Sequence, residues 1–467
     1  MKRITALKIV VSFAIGLFTL SNADTVEAKK LSLSADSAIV MDVDSGAILY
    51  EKNIDKRQYP ASITKIMTSL VAIENSSMSE TVTYSKSAVL NLESGASNIG
   101  LVPGEKMSME ESLYAILLMS ANEACNGVAE HIAGGIDNYV NLMNQRAKEL
   151  GCTGTHFANT NGLWMKNHYT TAHDMALISR EAYKNPDFAK ITGTKRYYIK
   201  KTNKAKDGHA LFNHHGMLLA GNYPQYVYEH CVGGKTGYTL KCRYTLVTYA
   251  KKDGMTLVSV VMRAEAPWND ANEYTDTLKL LNYGFDNYAH HDIKEDSIQQ
   301  VGSNYLFTRF SPFFNTASNS ISVDPDAGVI LPKKVKLDQT QKKIEYYNNP
   351  QTDKDGRKII GKVTYTYKDK EVGGTNIYYT ASDLPTLNDS IDMSEWFVDA
   401  VEKVNKKPFP WKRVILIVIL VLVAGFLGFY LFQRIRAERE IRNRRNRHKK
   451  TNRRHRRAER DMYIKRK

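Results

Sequence analysis

Tyr59-Pro60-Ala61-Ser62-Ile63-Thr64-Lys65-Ile66-Met67-Thr68 is the stretch that decides how this 467-residue chain is read. Pro60 suits a helix start, and Ile66, Met67, Leu70 and Ile73 recur at helical spacing. Ser62 and Lys65 then share one face, with Cβ atoms about 5–6 Å apart. A serine hydroxyl is a weak nucleophile until a neighbour takes its proton. A lysine does this when burial or a second cation lowers its pKa from about 10.4. The pair is therefore an acyl-transfer device in outline. Taken alone, Ser-x-x-Lys recurs by chance on solvated helix surfaces. Two further runs give it weight: Ser120-Ala121-Asn122, and Lys235-Thr236-Gly237 inside a strand-like segment.

Around this trio the chain divides by composition. Lys2, Arg3 and Lys8 precede the apolar run Ile9 to Leu20, with small-residue cleavage sites ending at Ala23 and Ala28. Residues 1–28 therefore read as a secretory signal peptide. Near the other end, 414–432 holds no charged residue. As a helix it would extend about 28 Å, close to the roughly 30 Å hydrocarbon core of a bilayer. The tail after it, 434–467, carries 17 Lys or Arg against 4 Asp or Glu, which accounts for most of the net charge of +16. The basic balance thus describes a tail, and no nucleic-acid partner is expected. The positive-inside rule puts that tail in the cytoplasm, where it also attracts anionic lipid, and leaves the residues before the span outside the cell.

The segment 29–290 alternates strands and helices and reads as one mixed α/β (α+β) domain, a sheet with helices packed on it. Its elements are a hairpin over 35–50, a long apolar helical region over 110–133, a helix over 174–183, strands at 245–249 and 256–262, and a helix over 273–283. From 291 to about 395 short alternating runs (328–331, 335–337, 361–367) predict a small all-β domain. Residues 396–413 read as a linker to the transmembrane helix. Cys125, Cys152, Cys231 and Cys242 show no zinc spacing. Outside the membrane they can pair or stay thiols, and a Cys231–Cys242 bridge would tie the Lys-Thr-Gly hairpin.

Pro60-Ala61-Ser62-Ile63-Thr64-Lys65-Ile66-Met67-Thr68, Leu118-Met119-Ser120-Ala121-Asn122-Glu123-Ala124 and Gly233-Gly234-Lys235-Thr236-Gly237-Tyr238-Thr239 together resemble the secreted serine-type D-alanyl-D-alanine carboxypeptidases, the low-molecular-mass penicillin-binding proteins. Asn159-Thr160-Asn161-Gly162-Leu163 and Thr170-Thr171-Ala172-His173-Asp174-Met175 look familial too. The resemblance implies a serine β-lactamase/transpeptidase-like catalytic domain. It implies a peptidoglycan stem ending in D-Ala-D-Ala as substrate, β-lactams as covalent mimics, and no cofactor. Carried over residue by residue, Ser62 is the nucleophile, Lys65 its base and Ser120 a proton relay. Asn122 holds the peptide amide. Lys235 and Thr236 take the terminal carboxylate, and Lys235 also keeps Lys65 neutral by like-charge repulsion. Gly237 leaves room beside the ligand, and the backbone N–H groups of Ser62 and Tyr238 form an oxyanion hole.

One position departs from the family. An Arg beyond the strand after Lys-Thr-Gly often binds the substrate carboxylate there. Ungapped counting puts Glu273 in its place, with Arg263 the nearest substitute. Asp174 reads as an N-cap, and His131, His156, His168 and His173 as structural or solvated. Three alternatives stand beside hydrolysis. An amine acceptor would make the enzyme a transpeptidase. A β-lactamase of class A would need a Glu-x-x-Leu-Asn run, which is missing between Asn122 and Lys235. A β-lactam-binding sensor or scaffold would use the basic tail.

Overall fold

The computed structural model describes residues 31–93, 95–221, 224–265, 271–293, 321–324, 327–353 and 356–379. The expected signal segment, the linker 396–413, the span 414–432 and the basic tail lie outside the described residues. Among the described residues no helix is long and apolar enough to cross a membrane.

The chain opens with a hairpin, β1 (Ser37–Asp42) and β2 (Ile48–Lys52). Its turn is closed by Asp42, whose Oδ1 accepts the Ser45 N–H at 2.7 Å. A 3-10 turn (Ala61–Thr64) runs into α1 (Lys65–Asn75). There follow β3 (Thr81–Thr83), α2 (Lys86–Leu90), β4 (Lys106–Ser108), α3 (Met109–Met119), α4 (Asn122–Ala133), α5 (Ile136–Glu149), α6 (Ala172–Lys184) and α7 (Pro186–Thr192). A short ladder of β5 (Arg196–Ile199) and β6 (His209–Phe212) leads to three strands, β7 (Cys231–Thr239), β8 (Arg243–Lys252) and β9 (Met255–Ala264), then α8 (Asn272–Asn287).

The main sheet has the order β2-β1-β9-β8-β7 and is antiparallel at every junction. Its inner strands are buried along most of their length because both faces are covered. Period-two alternation sends Ile39, Met41, Val247, Tyr249, Val258 and Val260 to the face that carries α1 and its neighbours. The opposite face sends Val40, Leu246, Leu257 and Val261 against Leu280, Leu281 and Phe285 of α8. Residues Lys65 to Ala72 of α1 are all buried, as expected of a helix enclosed by sheet and helices.

The helical region expected over 110–133 is two helices. Ser108 and Glu111 form a capping box that starts α3. Ser120 ends it with φ 59° and ψ 32°, and Ala121 is extended before α4 begins. The break is local backbone geometry at a polar residue, which apolar periodicity does not record. At α6 the cap is Thr171, whose hydroxyl accepts the Asp174 N–H at 3.0 Å. Asp174, read from sequence as the cap, is buried and accepts from Gly154 N–H at 2.8 Å and Thr155 Oγ1 at 2.6 Å. It anchors the turn after α5.

A second sheet follows α8 without a loop. Its strands are β10 (Tyr288–Asp292), β11 (Ile321–Val323), β12 (Gly328–Pro332), β13 (Gln341–Thr352), β14 (Lys358–Tyr367) and β15 (Lys370–Tyr379). They run β10-β12-β15-β14-β13, with β11 also paired to β15. Val329, Leu331, Val363 and Ile377 belong to its own core. The strand expected at 335–337 is instead a turn into the 3-10 segment Leu337–Gln339, where Gln339 Oε1 accepts the Lys336 N–H at 2.8 Å.

Candidate active site

Ser62 lies in the 3-10 turn just before α1, on a backbone held from several sides. Ala61 before it has φ 53°, a left-handed conformation that costs an L-residue about 1–2 kcal/mol. Thr64 Oγ1 donates to Ala61 O at 2.8 Å, and Thr245 Oγ1 of β8 donates to Pro60 O at 2.8 Å. His168 Nδ1 accepts the Ala158 N–H at 3.0 Å, which fixes the tautomer, so His168 Nε2–H donates to Thr64 Oγ1 at 2.9 Å. Gly162 presses on the same turn, and a Cβ there would stand 1.8 Å from Ala61 O.

Lys65 is fully buried, and its Nζ donates to Ser62 Oγ at 3.1 Å, Asn122 Oδ1 at 2.7 Å and Asn161 O at 2.6 Å. An ammonium only donates, so this contact fixes which end of the Asn122 amide faces Lys65 and leaves its NH₂ to face elsewhere. Burial pulls Lys65 down to about 8, against smaller opposing effects of Cys125 and Glu123. Lys235 on β7 is also buried and is pulled down to about 7, first by burial and then by the Lys65 charge. Desolvation is thus the main cause for both lysines. The expected like-charge repulsion adds to it and falls on Lys235. Charge on either lysine disfavours charge on the other.

β7 is the edge strand of the sheet and runs beside the Ser62 turn. At Gly237 a Cβ would stand 2.9 Å from Ser62 N and 2.4 Å from Thr245 Oγ1, so only glycine allows this approach. Thr236 is half-buried and Tyr238 exposed on that strand, and Lys235 Nζ donates to Thr236 O at 2.9 Å. Ser120 is buried, and its Oγ has no hydrogen-bond partner among the described residues. Its left-handed turn carries it into α4, whose first residue is Asn122 on Lys65.

One expectation changes, and one open alternative is decided. Arg263 is paired with Asp36 at 3.1 Å, on the β1 side of β9, and so is turned away from β7. Glu273 sits in the first turn of α8, with its carboxyl pushed up to about 7 by burial and by Asp276. All four cysteines are free thiols, so the Cys231–Cys242 bridge is not made. Sequence reasoning gave no role to Asn161, and it read His168 as structural or solvated without placing it at the Ser62 turn, where it is structural. The contribution of Asn161 is a backbone carbonyl, which no side-chain pattern encodes. The only signal for His168 was its nearness to the Asn159–Leu163 run.

A serine hydroxyl against a buried lysine of lowered pKa, a second buried lysine and an edge strand alongside are equipped for acyl transfer to the serine. Residues 23–266 match the family model described as D-alanyl-D-alanine carboxypeptidase. The chain is 35% identical over 291 residues to the D-alanyl-D-alanine carboxypeptidase DacF of Bacillus subtilis, covering 60% of this chain and 71% of that protein. It is 30% identical over 398 residues to DacA of Haemophilus influenzae, covering 81% and 93%. A serine-to-alanine mutant of the Streptomyces K15 DD-transpeptidase superposes with a TM-score of 0.50 at 28% identity, covering 55% of this chain and 100% of that one.

Proposed function

The chain belongs to the D-alanyl-D-alanine carboxypeptidase family, and from that premise we infer how its residues remove the terminal D-alanine of a peptidoglycan stem. The observation that carries the reading is Lys65 Nζ, buried and 3.1 Å from Ser62 Oγ. The stem lies along the open edge of β7 as an added strand. Its terminal carboxylate meets Thr236 and Lys235, and the Asn122 NH₂ holds the peptide amide. The carboxylate keeps the proton on Lys235 and so leaves Lys65 free to lose its own.

Ser62 Oγ attacks the carbonyl of the penultimate D-Ala as its proton passes to Lys65. The new C–O bond gives a tetrahedral oxyanion under the N–H groups of Ser62 and Tyr238. Losing one such donor costs about 3–4 kcal/mol in the barrier. As the C–N bond breaks, the proton reaches the leaving amine through Ser120. Water then adds to the ester, Lys65 takes its proton, and Ser62 is released with the shortened stem. A β-lactam opens on Ser62 by the same first step.

Residues 1–28 serve as an export signal and 414–432 as a membrane span. The catalytic domain then stands outside the cell and the basic tail lies on anionic lipid within it. The support for this topology is the charge and hydropathy of the sequence. Capture of the acyl-enzyme by an amine is a second reading, favoured by the likeness to the Streptomyces transpeptidase. Intact-mass measurement after penicillin treatment, with the adduct mapped to Ser62, tests the site. D-Ala release from a pentapeptide, with and without an acceptor amine, then separates hydrolysis from transfer. An adduct elsewhere, or release unchanged in Ser62→Ala, overturns the assignment.

A further inference from the structure

The proposed reaction sets a direction along β7, and a subsite for the rest of the stem depends on that reaction. With the stem carboxylate at Thr236 and the scissile carbonyl at Tyr238, the part of the stem before the scissile bond continues toward Thr239 and the hairpin tip. Three segments meet there. Trp164, from the loop between α5 and α6, packs edge-on to Tyr59 at 6.0 Å, three residues before Ser62. Lys241, four residues beyond Gly237, holds its Nζ 5.9 Å from the centre of the Trp164 ring. Trp164, Tyr238 and Leu240 are 43%, 47% and 77% exposed. Large apolar side chains left in water beside a reaction centre mark a ligand surface.

Charge narrows the ligand. No carboxylate pairs with Lys241 among the described residues, whereas Arg243 faces Glu265 at 3.7 Å. Lys166 and Arg57 are exposed on the same two segments as Trp164 and Tyr59 and add positive charge, Arg57 lying over the Tyr169 ring at 4.6 Å. We propose that Tyr59, Trp164 and Lys241 form a subsite for the side chain of the third stem residue. It prefers an aliphatic chain ending in a carboxylate over one ending in a bare ammonium. Methylenes pack on the part of the indole that Lys241 leaves exposed, and the carboxylate meets Lys241. A bare ammonium meets a like charge on a ring whose open cation position Lys241 already fills.

The test uses the full chain and three substrates: N-acetyl-D-Ala-D-Ala, which stops short of the subsite, and pentapeptides carrying meso-diaminopimelate or L-lysine at the third position. D-Ala release is read as kcat/KM. The wild type is expected to prefer the diaminopimelate peptide by about tenfold, a difference that weakens with added salt. Trp164→Ala should lose about tenfold on that peptide while staying within twofold on the dipeptide. Lys241→Glu should reverse the preference and Lys241→Arg retain it, with penicillin acylation unchanged in both. Equal kcat/KM for the two pentapeptides, or a Trp164→Ala defect as large on the dipeptide, overturns the subsite. Failure of the wild type to release D-Ala from any substrate or to take a penicilloyl adduct overturns the function itself, and the subsite with it.

Discussion

At the level of single residues, the site turns on two lysines held in a place that disfavours their charge. Burial lowers Lys65 to about 8 and Lys235 to about 7. Between about pH 7 and the ordinary lysine value near 10.4, the unfolded chain therefore binds more protons than the folded one. From these groups stability rises with pH across that window and is lost as pH falls through the folded values. Activity follows a different rule, because it needs Lys65 neutral and Lys235 charged. Plotted against pH, kcat/KM for D-Ala release should be bell-shaped, with both limbs between about pH 6 and 9 belonging to the pair. A profile flat across that range would exclude Lys65 as the base. Lys65→Arg, which keeps the charge but cannot shed it, should slow acylation by about a thousandfold or more while Ser62 stays in place. Stopped-flow with a reporter β-lactam measures this. The lysine pair was legible in the sequence because its chemistry resides in side chains. Asn161 was not, since its part is played by a carbonyl that any residue could offer. The cause of the pKa shift was legible only in part. Repulsion was evident from two lysines, but desolvation depends on what three-dimensional packing puts around them.

At the level of elements, the sheet and its helices followed from pattern, while the joints between them did not. β8 and β9 read as strands because alternate residues feed two covered faces, and that period survives in sequence. The break at Ser120 left no mark, since a left-handed residue between two apolar helices keeps the apolar density unchanged. That break presents Ser120 and Asn122 on a turn and not along a helix side. The Ser62 turn is set by two glycines whose roles differ, and this gives a paired prediction. At Gly162, with φ 88°, a Cβ meets the Ala61 carbonyl at 1.8 Å. Gly162→Ala should therefore lower stability by about 2–3 kcal/mol and also slow acylation. At Gly237 the backbone is outside the left-handed region and the obstacle lies across the cleft, at Ser62 N and Thr245 Oγ1. Gly237→Ala should cost less stability but cut acylation about a hundredfold, because a shift near 1 Å spoils the attack geometry. Urea melts with penicillin-acylation rates on the same samples separate the two. Equal ratios of stability loss to rate loss would show that the glycines do the same job.

At the level of the molecule, the second sheet touches the edge of the main sheet that is farthest in strand order from the reacting residues. The reacting residues stand at the β7 edge. Two polar contacts of the second sheet with the main sheet are at the β2 edge, where Tyr288 OH donates to Leu49 O at 3.1 Å and Lys370 pairs with Glu51 at 3.2 Å. Four inter-strand spacings of about 4.8 Å separate those edges by roughly 19 Å. The second sheet has a core of its own around Val329, Leu331, Val363 and Ile377, while Ile330 of β12 is buried in the core that α8 forms with the main sheet. Coupling over that distance would need a packed element with two arrangements, and neither the single buried side chain of Ile330 nor the exposed ion pair and hydroxyl contact is such an element. Damage to the second core should therefore be felt in stability and not in chemistry. Val363 is fully buried there, between β13 and β15 on β14. Val363→Ala should lower the stability of that sheet by about 1–3 kcal/mol, visible as an earlier melting step. Penicillin acylation at Ser62 should stay within twofold of the parent protein below that step. A proportional fall in acylation would instead mean that the β domain holds the β7 edge in place, and the whole chain would then be one catalytic unit.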